Sequence, residues 1–477
     1  MKHQKAAIFI FENEPGTYCG TVFLDDVNVP CFELFMHRQY AKVLSVEAGT
    51  RFNYVDAVTD RLEHFRFYGT RAAEPGNFGG EMIVQRFFPE YAISSRRSID
   101  YPTSPRNKDT VFKNVTLEIG GLNEWLQISP GGSIDDELTG SIAGRLRISS
   151  LNKSSRQSLE QIETTQTRHL LTVELEFSSQ KSIPELIGVV QSIWRFFTFL
   201  SCRNVRIADI ILPRDKGQSI RYLPDYRLFA TMSYKRFKPI EDIWLQPLLS
   251  DGKQLQEQVG RCFSKWVEFE RKHCKSIEFF LESLLSPHLS RDAVFCLIMF
   301  IVESLFKSPT VSQSEEENNQ KFSDEVLANC PPEHKSRLTG LFAYNLSRTS
   351  FFDKLRGILE NLRPMVPQID ELCIDGIARN AKNNRHALVH NLSKNKVASG
   401  QELDFLISLF RIAIDGRILE EIQLPKTVVS EALQVQYICK RPPQALLTGF
   451  LFWAGLHYPA STKGTNYVRC QCACSAC

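Results

Sequence analysis

Residues 384–391 read Asn384-Arg385-His386-Ala387-Leu388-Val389-His390-Asn391: an arginine, an adjacent histidine, and a second histidine four residues on. The stretch is predicted to open a helix with Asn384 as its N-cap, so that free N–H groups of the first turn form an anion site beside Arg385. At about 100° per residue, His386 and His390 share a face, whereas Arg385 and His390 point roughly 140° apart. Imidazole gives and takes protons near neutral pH. Guanidinium keeps its charge and forks onto two phosphate oxygens. Together they suit breakage of an RNA phosphodiester through its own 2′-hydroxyl without a metal. To complete such a site, Arg385 must reach around from its own turn, or a second copy of the helix must meet the first across a two-fold axis.

Helical patterns surround this stretch. In residues 289–307, Ala293, Val294, Leu297, Ile298, Ile301, Val302 and Leu305 recur at helical spacing, with Glu303 among them. Ser350-Phe351-Phe352-Asp353 is a capping-box start for a helix carrying Leu355, Ile358, Leu359 and Leu362, stopped near Pro364. Residues 369–382 and 385–393 are the expected motif helix or helices. Leu403, Leu406, Ile407, Phe410, Ile414, Leu419 and Ile422 mark a long closing helix ended by Pro425. The expected result is an all-α bundle of about four or five helices.

The spacing of Arg385, His386 and His390 resembles the Arg-polar-x-x-x-His signature of HEPN ribonucleases, with His386 where asparagine is commoner. A second register, Arg379-Asn380 through His386, also fits the looser form. Leu388 and Val389, an apolar pair just before His390, favour the first. The order of an acidic residue late in one helix (Glu303), the Arg/His motif, and a closing helix with Arg417-Ile418-Leu419 is similar to ApeA-like HEPN domains. Upstream, Phe112-Lys113-Asn114-Val115, Gly121-Leu122-Asn123-Glu124-Trp125, a strand over 169–177 and an aromatic helix over 183–201 resemble the N-terminal domain that accompanies such modules in phage-defence proteins. The resemblance covers about residues 5–425. It implies an endoribonuclease giving 2′,3′-cyclic phosphate and 5′-hydroxyl ends. It also implies RNA as substrate, with transfer RNA a plausible target, a phage protein as trigger, and a homodimer or higher homo-oligomer through the helical domain. Catalysis would fall to Arg385, His390 and His386, substrate contact to Asn384, Asn391, Arg379 and Lys382, and support to Glu303, with no metal and no cofactor.

The N-terminal part is β-rich to about residue 178. Ala6-Ala7-Ile8-Phe9-Ile10-Phe11 reads as a first strand, and Thr21-Val22-Phe23-Leu24, an Asp25-Asp26 turn and Val27 onward as a hairpin. Phe65–Tyr68, Met82–Val84 and Thr116–Ile119 alternate as half-buried strands do. A sandwich-like or barrel-like sheet is expected, with Tyr101–Asp109 and Asn152–Gln166 as mobile polar loops. Ser182-Ile183-Pro184-Glu185 caps a helix bearing Leu186, Ile187, Val190, Ile193, Trp194, Phe197 and Leu200, whose aromatics read as core. A charged amphipathic segment over 252–284 (Leu255, Val259, Phe263, Trp266, Phe269, Phe279) is expected to connect the halves. Residues 309–320 read as a flexible loop.

The fold class is therefore α+β multidomain: a β-rich N-terminal domain over 1–178, a helical and mixed connection over 179–285, an all-α HEPN bundle over 286–425, and a poorly ordered extension over 426–477. At 477 residues, two or three domains are expected. With 57 basic and 54 acidic residues the net charge is +3, so any nucleic-acid surface must be local. Residues 377–396 supply one, with Arg379, Lys382, Arg385, Lys394 and Lys396 and no acid.

The opening apolar run is too short for a secretory signal, and the longest apolar stretch noted, Ala445–Leu456, is too short to span a membrane. A cytoplasmic protein with no membrane partner is expected. Nine of the 13 cysteines are scattered. The remaining four, Cys470, Cys472, Cys474 and Cys477, lack room for the chain reversal of a structural zinc site. Serine-protease, Walker-type and His-Glu-x-x-His arrangements are absent from the sequence. The alternative to a nuclease is a non-catalytic nucleic-acid or nucleotide-binding regulatory or adaptor protein.

Overall fold

The structure, a computed structural model, describes the chain apart from residues 1–2, 12–16, 25–29, 38–46, 61–62, 79–81, 96–110, 121, 130, 160–161, 204, 214–225, 231–246, 250–251, 287, 307–312, 333, 337, 340–349, 391–399 and 441–477. The expected Asp25-Asp26 turn, the loop over 101–109, Asn391, Lys394, Lys396 and the cysteine-rich tail fall outside the described residues. By contacts the chain divides into two units, Met1–Phe306 with Ile407–Cys439, and Lys307–Leu406 with Lys440–Cys477.

The first unit begins with a barrel. Its strands are β1 (His3–Phe11), β2 (Tyr18–Leu24), β3 (Pro30–His37), β4 (Arg51–Thr59), β5 (His64–Ala72) and β7 (Met82–Phe88), with the short β6 (Gly76–Phe78) between the last two. The order β5-β4-β1-β2-β3-β7 closes on itself, because Arg71 and Ala72 of β5 pair with Phe88 and Phe87 of β7. Ala7, Phe9 and Phe11 point inward while Ile8 and Ile10 face out, the alternation a pleated strand imposes. Phe9, Phe32, Phe65, Phe67 and Phe87, all with no exposed surface, fill the interior. Phe32 stacks on Phe9 at 4.6 Å and on Phe87 at 4.8 Å. Each buried ring contributes roughly 2–3 kcal/mol relative to exposure. Gly20 is required here: a Cβ would lie 2.1 Å from the Glu33 carbonyl oxygen and 3.0 Å from the Phe9 ring.

The sheet continues from β5 through β8 (Tyr91–Ser95), β14 (Tyr226–Ala230), β13 (Arg206–Leu212), β9 (Val111–Gly120), β12 (Ile162–Ser182), β11 (Gly144–Leu159) and β10 (Ser133–Leu138). The β-rich reading holds, in the form of a closed barrel running into an open antiparallel sheet. Asn152–Gln166, expected as a mobile loop, instead lies largely in the β11–β12 hairpin, whose pairing runs from Gly144↔Phe177 to Leu159↔Ile162. Polarity misled the loop reading. Backbone pairing needs no apolar side chain, and the β-branched Thr164, Thr165 and Thr167 favour extended structure.

Helix α1 (Ile183–Ser201) starts at the expected capping box, with the Ser182 N–H donating 2.8 Å to the Glu185 carboxylate. By length and composition it could cross a membrane, which corrects the expectation that no such stretch exists, yet 67% of its 18-residue apolar window is buried in this fold. Trp194, Phe196, Phe197 and Phe199 are core residues, as the packing reading expected. Arg195 is also buried and pairs with Glu270 and Glu278 of helix α2 (Val259–Leu285). Ser192 and the Trp266 indole N–H also donate to Glu270, so this buried carboxylate is fully engaged.

Helix α2 buries Val259, Phe263, Trp266 and Phe269 against α1 and β10, within the first unit. It kinks at His273 (φ −128°, ψ 31°). Helix α3 (Arg291–Leu305) buries Phe295, Ile298, Met299, Ile301, Val302 and Leu305 and is capped by Ser290, whose Oγ accepts from the Ala293 N–H.

In the second unit, helix α4 (Gln313–Ala328) occupies most of the stretch expected as a loop. Glu, Gln and Lys are good helix formers, and Glu315–Glu317 lie in its first turns, where the helix dipole favours acids. Helix α5 (Phe351–Leu362) begins at Ser350, which accepts from the Asp353 N–H as expected. A 3₁₀ turn (Pro367–Glu371) leads to helix α6 (Ile374–Val389). Helix α7 (Gly400–Glu421) buries the predicted Leu403, Leu406, Ile407, Phe410, Ile414 and Leu419. Lys426–Lys440, expected within a poorly ordered extension, forms helix α8 with Val429, Ala432, Leu433 and Tyr437 buried.

Candidate active site

The motif sits at the end of a helix, not at its start. Helix α6 is continuous because Ile374, Ile377, Ala378, Ala381, Asn384 and Ala387 form a single buried stripe with no breaker near Asn384. Asn384 is therefore interior, 1% exposed, and its Nδ2 donates 2.9 Å to the Asn380 carbonyl and also to the Asn380 side chain. The N-cap reading, with its anion site beside Arg385, is overturned. The motif therefore lies at the end of the helix that carries partial negative charge, away from the free N–H groups of its first turn.

His386 and His390 meet at this end. Their ring centroids are 4.5 Å apart with planes tilted 57°, and the His390 N–H donates 3.1 Å to the His386 carbonyl. His390 is the C-cap residue (φ −98°, ψ 11°), and both side chains are exposed. The shared face expected from four-residue spacing is present.

Arg385 is half-buried and takes another direction. Its guanidinium carbon lies 4.6 Å from the centre of the Phe351 ring at the first position of α5. Helices α5 and α6 pack together, and Arg356 joins them by an ion pair to Asp375 at 3.2 Å while also bonding Glu360 at 2.9 Å. The cationic group is thus set against an aromatic face by a two-helix frame. His390 lies five positions after Arg385, so on an ideal helix their directions diverge by about 140°.

Arg379 and Lys382 are exposed on α6. Glu303 is exposed near the end of α3, in the first unit. Asn391 lies outside the described residues. Phe351 was read from the sequence only as part of a capping box; no spacing rule links it to Arg385, and only the packing of α5 on α6 brings them together. Among the described residues, no group of three or more His, Cys, Asp or Glu side chains is placed to hold a metal ion.

Residues 298–428 match the family model described as Apea-like HEPN, a span containing all of α6. Residues 47–266 match the model described as ApeA N-terminal domain 1, a span that starts just before β4 and ends within α2. Comparison with curated proteins and with solved structures returned no match.

Proposed function

We propose that this chain, which belongs through its two matched regions to the ApeA-like HEPN family, is a metal-independent endoribonuclease of a phage-defence system, governed through its N-terminal domain. The observation that carries the reading is the His386–His390 ring contact on an exposed helix end, with Arg385 in the same last turns. In the proposed reaction His390 takes the proton from the RNA 2′-hydroxyl, or returns one to the departing 5′-oxygen. His386 orients the phosphate or shares the proton transfer. Arg385 stabilises negative charge on the pentacoordinate phosphorus. The products are a 2′,3′-cyclic phosphate and a 5′-hydroxyl, with transfer RNA the substrate proposed and a phage protein the trigger. Because Arg385 and His390 diverge on one helix, a second copy of the helical domain completes the site in this scheme.

That same divergence favours one other reading, in which Arg385 grips nucleotide phosphate and no bond is cut. The two readings separate when wild type, Arg385→Ala and His390→Ala are expressed in growing cells and total RNA is compared, with lysates divided between buffer with and without EDTA. The nuclease reading expects fragments from wild type alone, equally in chelator. Fragments from all three proteins, or from none while Arg385→Ala alone loses RNA binding, would contradict it.

A further inference from the structure

We infer that Phe351 is a positioning residue for Arg385, a role that rests on the reading of Arg385 as the phosphate-facing cation. The geometry is specific: the guanidinium carbon stands 4.6 Å from the ring centre. Phe351 is fixed in turn. It is the first residue of α5, directly after the Ser350 cap, whose hydroxyl also donates to the Asp353 carboxylate while accepting the Asp353 N–H at 3.2 Å. The Arg356–Asp375 ion pair at 3.2 Å ties α5 to the helix that carries Arg385.

A ring suits this task better than a carboxylate. A carboxylate would hold the guanidinium in place but offset its charge and occupy its N–H donors. An aromatic face attracts the cation through its quadrupole, engages the plane of the group, and uses none of the in-plane donors that fork onto phosphate. The contact with the ring therefore restricts the long arginine side chain without itself occupying an in-plane N–H donor. A phosphate-facing arginine gains from such restriction because electrostatic stabilisation depends on donors that are already in place.

The test uses the full chain. Phe351→Leu keeps an apolar side chain of similar bulk at the helix start but lacks the π-face, and Phe351→Tyr keeps the face. With one RNA substrate, Phe351→Leu is expected to lower kcat about fivefold, the size of one cation–π contact at a half-exposed site, with KM nearly unchanged. Phe351→Tyr should restore wild-type kcat. Because Phe351 acts through Arg385, adding Phe351→Leu to Arg385→Ala should cause no further loss. A fully active Phe351→Leu, or a loss that adds in full to that of Arg385→Ala, overturns the role.

The contact is also read without any substrate. In protein labelled at arginine, the Arg385 side-chain resonances should lose a ring-current shift in Phe351→Leu and keep it in Phe351→Tyr, whereas unchanged resonances in Phe351→Leu would overturn the proposal. A wild type whose RNA cleavage ignores Arg385 would instead sink the nuclease reading, even with the resonance shift present.

Discussion

The imidazoles of His386 and His390 stand 4.5 Å apart, centroid to centroid, on the exposed end of one helix. Two histidines so placed need not do the same work. His390 is assigned the proton transfer, and His386 stands where an amide would also serve to orient phosphate. Initial rates on a single RNA should then fall about 10²- to 10⁴-fold for His390→Ala. For His386→Asn, which keeps a hydrogen-bonding side chain, the loss should be about tenfold or less. Equal losses would assign both rings one role.

Arg195 and Glu270 form a buried ion pair between α1 and α2, backed by Ser192 and Trp266. Removing one partner strands the other charge. Arg195→Met is expected to cost about 3–5 kcal/mol in urea unfolding, and Arg195→Met with Glu270→Met should recover much of it. A double variant less stable than the single would contradict this account of the pair.

What the sequence revealed, and what it hid, follows from the range of the interactions involved. Strand β1 was readable as the short apolar run Ala6-Ala7-Ile8-Phe9-Ile10-Phe11, although the alternation of buried Ala7, Phe9 and Phe11 with exposed Ile8 and Ile10 was not. Closure of the barrel was not, since the pairing of Arg71 and Ala72 with Phe88 and Phe87 depends on curvature accumulated over six strands. The caps at Ser182 and Ser350 were found because a cap is local chemistry. Asn384 was misassigned because asparagine serves equally as a cap or as an interior amide, and only the buried stripe from Ile374 to Ala387 decides between them. The same logic explains α4, where an acid-rich polar stretch read as a loop although its residues propagate a helix well. The identities of the motif residues were readable, while the Phe351 contact, made between two helices, was not.

His273 sits at the kink of α2 with its ring 4.8 Å from that of Phe269. Burial lowers its pKa below the ordinary 6.5, with Glu421 opposing the shift and Arg417 and Lys272 adding to it. The unfolded chain therefore takes up this proton more readily than the fold does. Its contribution to stability is complete above pH 6.5 and is lost as pH falls through that value toward the folded pKa. The urea midpoint of His273→Gln should change less between pH 7.5 and pH 5.5 than that of wild type, with pH values chosen about one unit either side of the ordinary histidine pKa. Parallel changes in the two proteins would rule His273 out as the source.

Glu185 at the start of α1 also loses its contribution in acid, but because the fold favours its charged form. Hydrogen bonds from the Ser182 side chain and backbone lower its pKa from the ordinary 4.5. The stability they provide is present above that value and is lost as pH falls through the folded pKa. Ser182→Ala should cost about 1 kcal/mol near neutral pH. The gap between variant and wild type should narrow in acid, as followed by thermal unfolding at a series of pH values; a gap that widens in acid would contradict the cap's role.

The central claim is that Arg385 and His390 drive attack by the RNA's own 2′-hydroxyl. It is tested most directly by mapping the cut made by purified protein in a defined RNA and then replacing the nucleotide 5′ to that cut with its 2′-deoxy counterpart. The account predicts that cleavage at that position disappears while uncut RNA is still bound. Cleavage of the deoxy-substituted strand at the original rate would contradict it.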